Sequence, residues 1–114
     1  MREIKFREWN PDTKTMCHVD ILNCRNEMQY LMQYIGAKDK NGVEIYEGDV
    51  IRENTRRNKV DYVIRWSAAA CGFVAEPFIA GCIHPNLNQG TMVHYEVIGN
   101  IYESPELVSN ETDT

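Results

Sequence analysis

In VDYVIRW, residues 60–66, the apolar side chains of Val60, Tyr62, Ile64 and Trp66 fall at every second position, between the polar run ENTRRNK and a Cys-Gly pair. Period two is the signature of a β-strand, because successive side chains leave a pleated backbone on opposite faces. The same short-strand, short-turn rhythm recurs along the chain. REIKFREW carries Ile4 and Phe6 on one side and Lys5 and Arg7 on the other, which reads as a strand with one wet face. NPDTK follows, with Pro11 presetting a type I turn, and TMCHVDIL returns with Cys17, Val19 and Ile21 alternating against His18 and Asp20. Residues 2–22 are therefore expected to form a β-hairpin.

Residues 24–35, CRNEMQYLMQYI, fit two periods. Asn26 can cap a short helix bearing Met28, Leu31, Met32 and Ile35, while Tyr30, Met32 and Tyr34 suit a strand; the segment reads as a helical turn running into a strand. Beyond it, QYIGAKDKNGVEIYEGDVI raises the question of whether its glycines form an active-site loop, a phosphate cradle or a turn. A Walker loop requires GxxxxGK, then Ser or Thr and a helix, whereas Gly42 is followed by Val43 and a β-type segment. Asn-Gly is the strongest short-range hairpin signal, so Gly36 and Gly42 are assigned to turn structure. Gly48 and Asp49 are expected to interrupt the following strand, the glycine as a bend and the carboxylate as an acceptor for nearby backbone N–H groups. CGFVAEPF reads as another strand, AGCIHPNLNQG as a long connection, and MVHYEVIGNIY as a closing strand with Gly99 placed for a bulge.

The 114 residues suit one domain, and 43% hydrophobic with 25% charged residues is ordinary for a globular chain. The expected fold class is mainly β: a small SH3-like barrel over 43–103, an added N-terminal hairpin and connector over 1–35, and at most one short helix. Residues 1–108 form one β-rich domain, and 109–114 are a frayed tail. No apolar run approaches the roughly 18 residues of a membrane-spanning helix, and MREIKFREWN lacks a signal-peptide apolar segment, so a cytosolic location is expected. Cys17, Cys24, Cys71 and Cys82 are then expected as reduced thiols, with none of the close CxxC spacings used for zinc or redox chemistry.

Net charge is −5, but unevenly distributed. Residues 1–35 carry five basic and five acidic groups, 36–66 seven and six, and 67–114 none and six. This division argues against a continuous basic footprint for nucleic acid and leaves only the neighbourhood of Arg52, Arg56, Arg57 and Lys59, close to Tyr62 and Trp66, as a local contact candidate. Candidates for nucleophilic catalysis are equally sparse. Cys17 and His18 are strand neighbours and point to opposite faces, while Cys82 and His84 sit in a Gly/Pro loop without a nucleophile motif. No catalytic residue, metal ligand or cofactor site is assigned.

The segments REIKFREWN, LMQYIGAKDKNGVEIYEGDVI and YEVIGNIYESPEL, together with YVIRW, resemble the YopX family, small proteins encoded mainly by bacterial phages and prophages. Ile35 stands where threonine is more frequent in that family, and Ala37 where a larger aliphatic residue is. The resemblance implies a β-rich fold, a tendency to oligomerise and a bacterial cytoplasm during infection or lysogeny; it brings no activity and no catalytic residue. The expected function is a non-enzymatic interaction protein that binds a host or phage protein and itself. Ile4, Phe6 and Trp9 of the hairpin are the candidate oligomer contacts. A nucleic-acid-binding accessory role through the Arg52–Lys59 loop is the alternative.

Overall fold

The computed structural model describes residues 4–19, 30–54, 59–78 and 85–109. In chain order they form β1 (Phe6–Asn10), β2 (Thr15–Val19), β3 (Leu31–Lys38), β4 (Glu44–Tyr46), β5 (Asp49–Asn54), β6 (Lys59–Ser67), β7 (Gly72–Pro77), α1 (Gln89–Met92), β8 (Tyr95–Asn100) and α2 (Pro105–Ser109). The fold is mainly β, as expected, with a curled, half-barrel sheet. Strands pair in two four-stranded sheets, ordered β2-β1-β3-β4 and β7-β6-β5-β8. The N-terminal hairpin is thus the outer half of the first sheet, joined through β1 to β3 with Arg7 opposite Met32.

Turn chemistry set the hairpins where the sequence placed them. Asn10 Oδ1 accepts the backbone N–H groups of Asp12 at 2.9 Å and Thr13 at 3.2 Å, organising the turn into β2. Gly36, Gly42 and Gly48 all take positive φ, +93°, +81° and +89°. Gly42 closes the β3–β4 hairpin, Gly36 sits where the β3–β4 register slips, and Gly48 is the corner at which the chain leaves the first sheet for the second. The β5–β8 register also slips: Val50 faces Gly99 and Ile51 faces Val97, so Ile98 is the extra residue of a bulge.

Three expectations change. Two short helices are present where at most one was expected. Asn88 caps α1, its side chain accepting from Thr91 N, and Pro105 opens α2 where a missing N–H costs nothing. Trp66 does not join the core with Tyr62 and Ile64; it is 55% exposed, because β5 pairs with β6 only over 59–63 and Trp66 lies beyond that cover, opposite Phe73 of β7. The face of β1 expected to be wet is covered instead. Arg7 and Trp9 turn inward while Ile4 is 61% exposed, since the interior supplies a carboxylate, Asp49, and an aromatic, Tyr102, that sequence alternation does not reveal.

A buried hydrophobic cluster joins Ala37 and Ile45 of the first sheet to Ile51, Tyr62, Ile64, Ala75 and Tyr95 of the second, with Met92 of α1. Val50 and Val63, paired across β5 and β6 on the opposite face, are also fully buried. The central strands of the second sheet are therefore covered on both sides.

Candidate functional site

The turn over 39–43 is structural. Asp39, 3% exposed, accepts at Oδ1 from Asn41 N (2.8 Å) and Val43 N (2.9 Å) and at Oδ2 from Val97 N (2.9 Å), while its own carbonyl takes the Gly42 N–H. Backbone donors that would have to face a phosphate are thus already bonded to an internal carboxylate. Sequence reading missed Asp39, since an aspartate in a KDKN run looks like a solvated turn residue and its distant partner Val97 gives no local signal.

Asp49 behaves as expected of a short carboxylate at a bend and does more. It is 1% exposed, accepts from Tyr46 N at 2.7 Å, and is paired with Arg7, whose Nη2 lies 2.5 Å from Oδ1. The Arg7 guanidinium also covers the Tyr46 ring, 4.6 Å from its centroid. Burial pushes the Asp49 carboxyl above its ordinary range, against the opposing pull of Arg7 and the Tyr46 N–H. This is a buried support between the sheets, closed to solvent on the carboxylate side.

An accessible groove lies beside it. About 200 Å³ of open space sits where the two sheets meet, walled by Leu31 and Met32 of β3, Glu47 and Gly48 of the corner, Trp66 of β6, and Tyr102 after β8. Gly48 fixes its floor by donating its N–H to Ile64 O (2.8 Å) and accepting from Ile101 N (2.9 Å). Trp66 meets Phe73 edge to face at 5.3 Å, and Tyr102 stacks on Trp9 at 5.8 Å, so both aromatic walls are braced from behind. Glu47 is half-buried; desolvation raises its carboxyl above the ordinary value, only partly offset by a hydrogen bond from the Gln33 backbone. Burial, with Tyr30 and Glu47 nearby, likewise raises the Tyr102 hydroxyl.

A pH prediction follows from the Glu47 shift. A carboxyl whose folded-state value lies above its unfolded one favours folding most below the unfolded pKa, near 4.3, and loses that contribution as pH rises through the folded value. Glu47→Gln should therefore be more stable than the parent at neutral pH, with the difference vanishing as pH falls toward 4 in urea titrations across that range. A variant less stable at neutral pH would mean that the Glu47 carboxylate is favourably paired.

The other candidates are placed less favourably for contact with nucleic acid or a partner chain. Arg52 is held by Asp61 across the β5–β6 ladder through two hydrogen bonds, Nε–Oδ1 at 2.7 Å and Nη2–Oδ2 at 3.0 Å, which occupies the fork a phosphate would take. Lys59 opens β6 opposite Asn54, and Arg56 and Arg57 lie outside the described residues. Of the hairpin residues, Ile4 is exposed and Phe6 half-buried, but Trp9 is 8% exposed because Tyr102 of the same chain covers it. Cys17 is exposed; Cys82, His84 and the helical option within 24–29 lie outside the described residues. Among the described residues no group of three or more His, Cys, Asp or Glu is disposed to hold a metal, and no helix is long and apolar enough to cross a membrane.

Two sheets linked through a glycine corner, with a groove where they meet, define a small, mainly β protein. A family model described as YopX protein matches residues 19–109, and the chain belongs to the YopX family. Its architecture is similar to the crystal structure of protein EF1440 from Enterococcus faecalis, with 25% sequence identity, a TM-score of 0.67, and coverage of 95% of this chain and 99% of that one. No curated protein matches the chain.

Proposed function

We propose that this protein acts by binding another protein through the groove at the sheet junction, without catalysing a reaction and without a cofactor, in the cytoplasm of a bacterium carrying the encoding phage or prophage. The observation behind this reading is Trp66: a tryptophan 55% exposed at the mouth of a groove, braced by Phe73, is the residue type and setting that dominates binding energy at protein interfaces. Nucleic-acid binding through the Arg52–Lys59 loop is the weaker alternative, because Arg52 is engaged by Asp61. The test is affinity capture from infected or lysogenic cells with the parent and with Trp66→Ala, followed by calorimetry on the purified partner. Trp66→Ala should weaken binding by about 2 kcal/mol or more, while its exposure keeps the stability change to roughly 1 kcal/mol or less. A folded Trp66→Ala that binds the same partner undiminished would move the site elsewhere.

The same reading includes self-association through the N-terminal hairpin. β2 is an edge strand, and its sequence, TMCHV, has none of the lysines or prolines that keep sheet edges apart. Two-fold antiparallel pairing centred on Cys17 sets Cys17 against its own copy and Thr15 against Val19, with no charge clash, and brings the exposed Ile4 and half-buried Phe6 near the contact. Light scattering should give a mass above the 13.2 kDa of one chain, and mild oxidation should cross-link the parent but not Cys17→Ser. A single-chain mass at tens of micromolar protein would refute self-association, and an oligomer with no Cys17 cross-link would place its interface away from β2.

A further inference from the structure

We infer that the groove between Trp66 and Tyr102 receives a single cationic side chain, an arginine or a lysine, presented by the bound partner, with Glu47 as its counter-charge. The inference rests on the protein-binding reading and specifies the partner's chemistry.

Size comes first. At about 200 Å³ the groove falls below the roughly 300–1,000 Å³ typical of small-molecule sites, and it is open along its length, which suits one inserted side chain better than an enclosed metabolite. Its walls are layered in the way a long basic side chain requires. Leu31, Met32 and Ile101 supply apolar surface for a methylene stem, and Trp66 and Tyr102 supply aromatic surface for a cationic head.

Charge decides between a cationic and a neutral guest. Glu47 is the carboxylate in this lining, it is half-buried, and no Lys or Arg among the described residues forms an ion pair with it. The other carboxylates near the junction are matched: Asp49 by Arg7, Glu44 by Lys5, Asp61 by Arg52. Arg65 also lines the groove, but its Nε is 3.2 Å from Glu76, a diagonal neighbour on β7. Partial desolvation of a carboxylate costs stability, and an incoming cation supplies the counter-charge that Glu47 lacks among the described residues. The overall charge of −5, with no Lys or Arg after Arg65, further favours approach of a basic surface.

The probe is a short peptide, acetyl-Gly-Arg-Gly-amide, titrated into isotopically labelled full-length protein and compared with the same peptide carrying citrulline, the neutral isostere of arginine. Saturable shifts at the Trp66 indole N–H and the Gly48 amide, in the millimolar range, are expected with arginine. They should weaken by about tenfold or more with citrulline and in Glu47→Gln, whose spectrum also reports that it is folded. No saturable shift with arginine, or equal shifts with both peptides, would overturn the inference. Protein-partner binding that survives Glu47→Gln but not Trp66→Ala would also overturn it while leaving the protein-binding site in place; loss of neither would remove both.

Discussion

Arg7→Ala should lower the free energy of unfolding by about 3–5 kcal/mol, the cost of leaving a buried carboxylate without its counter-ion. Asp49 is 1% exposed and its only cationic neighbour among the described residues is Arg7, so alanine removes both the charge and the guanidinium covering Tyr46. For a domain whose whole stability is of order 5–15 kcal/mol, that is a large fraction, and the urea midpoint should fall accordingly. Without Arg7 the carboxyl is pushed further up by burial, so the folded state takes a proton more readily than the unfolded chain. The deficit should therefore shrink as pH falls and the carboxyl takes up its proton. Arg7 Nε is buried without a hydrogen-bond partner among the described residues, and a joint Arg7→Met, Asp49→Asn replacement should recover part of the loss by removing both charges and that orphaned donor while keeping a side-chain acceptor for Tyr46 N. A single-mutant loss below about 1 kcal/mol would show that water reaches Asp49 readily.

Gly48→Ala is expected to cost about 2–3 kcal/mol, from two separable sources. Its φ of +89° is strained for any residue with a Cβ, and that Cβ would stand 3.2 Å from Met32 Sδ and 3.5 Å from Ile101 Cγ1. Gly42→Ala is the internal control: φ is +81°, yet nothing lies within 4 Å of the added atom, so only the backbone part, about 1 kcal/mol, should appear. The difference between the two variants in thermal or urea unfolding measures how tightly the corner is packed. Equal losses would mean that Met32 swings aside at no cost.

These positions show which parts of the molecule local sequence encodes. Asn41-Gly42, Gly48 and Gly99 were legible because a turn, a corner and a bulge each impose a backbone requirement that few residue types meet. Strand positions were legible from period two. The direction of a strand's faces was not, and β1 shows why: Arg7 looks wet until Asp49, 42 residues away, is known to be beneath it. Trp66 fails in the reverse sense, since alternation places it with Tyr62 and Ile64 but cannot tell that β5 ends before reaching it. The groove was illegible for the same reason: its walls come from β3, the corner, β6 and the segment after β8, and Glu47 becomes chemically distinctive only when they converge.

The hydrogen bond from Val97 N to Asp39, across 58 residues, has a consequence for how the chain is made. β5, β6 and β7 follow one another and can pair as soon as they leave the ribosome, but the other edge of β5 stays bare until β8 has been synthesised. During that interval the nascent chain displays the unpaired edge of β5 beside an unfinished Asp39 loop, a form open to pairing with neighbouring chains. Ribosome pausing before β8 is complete would lengthen the exposure and lower the yield of soluble protein.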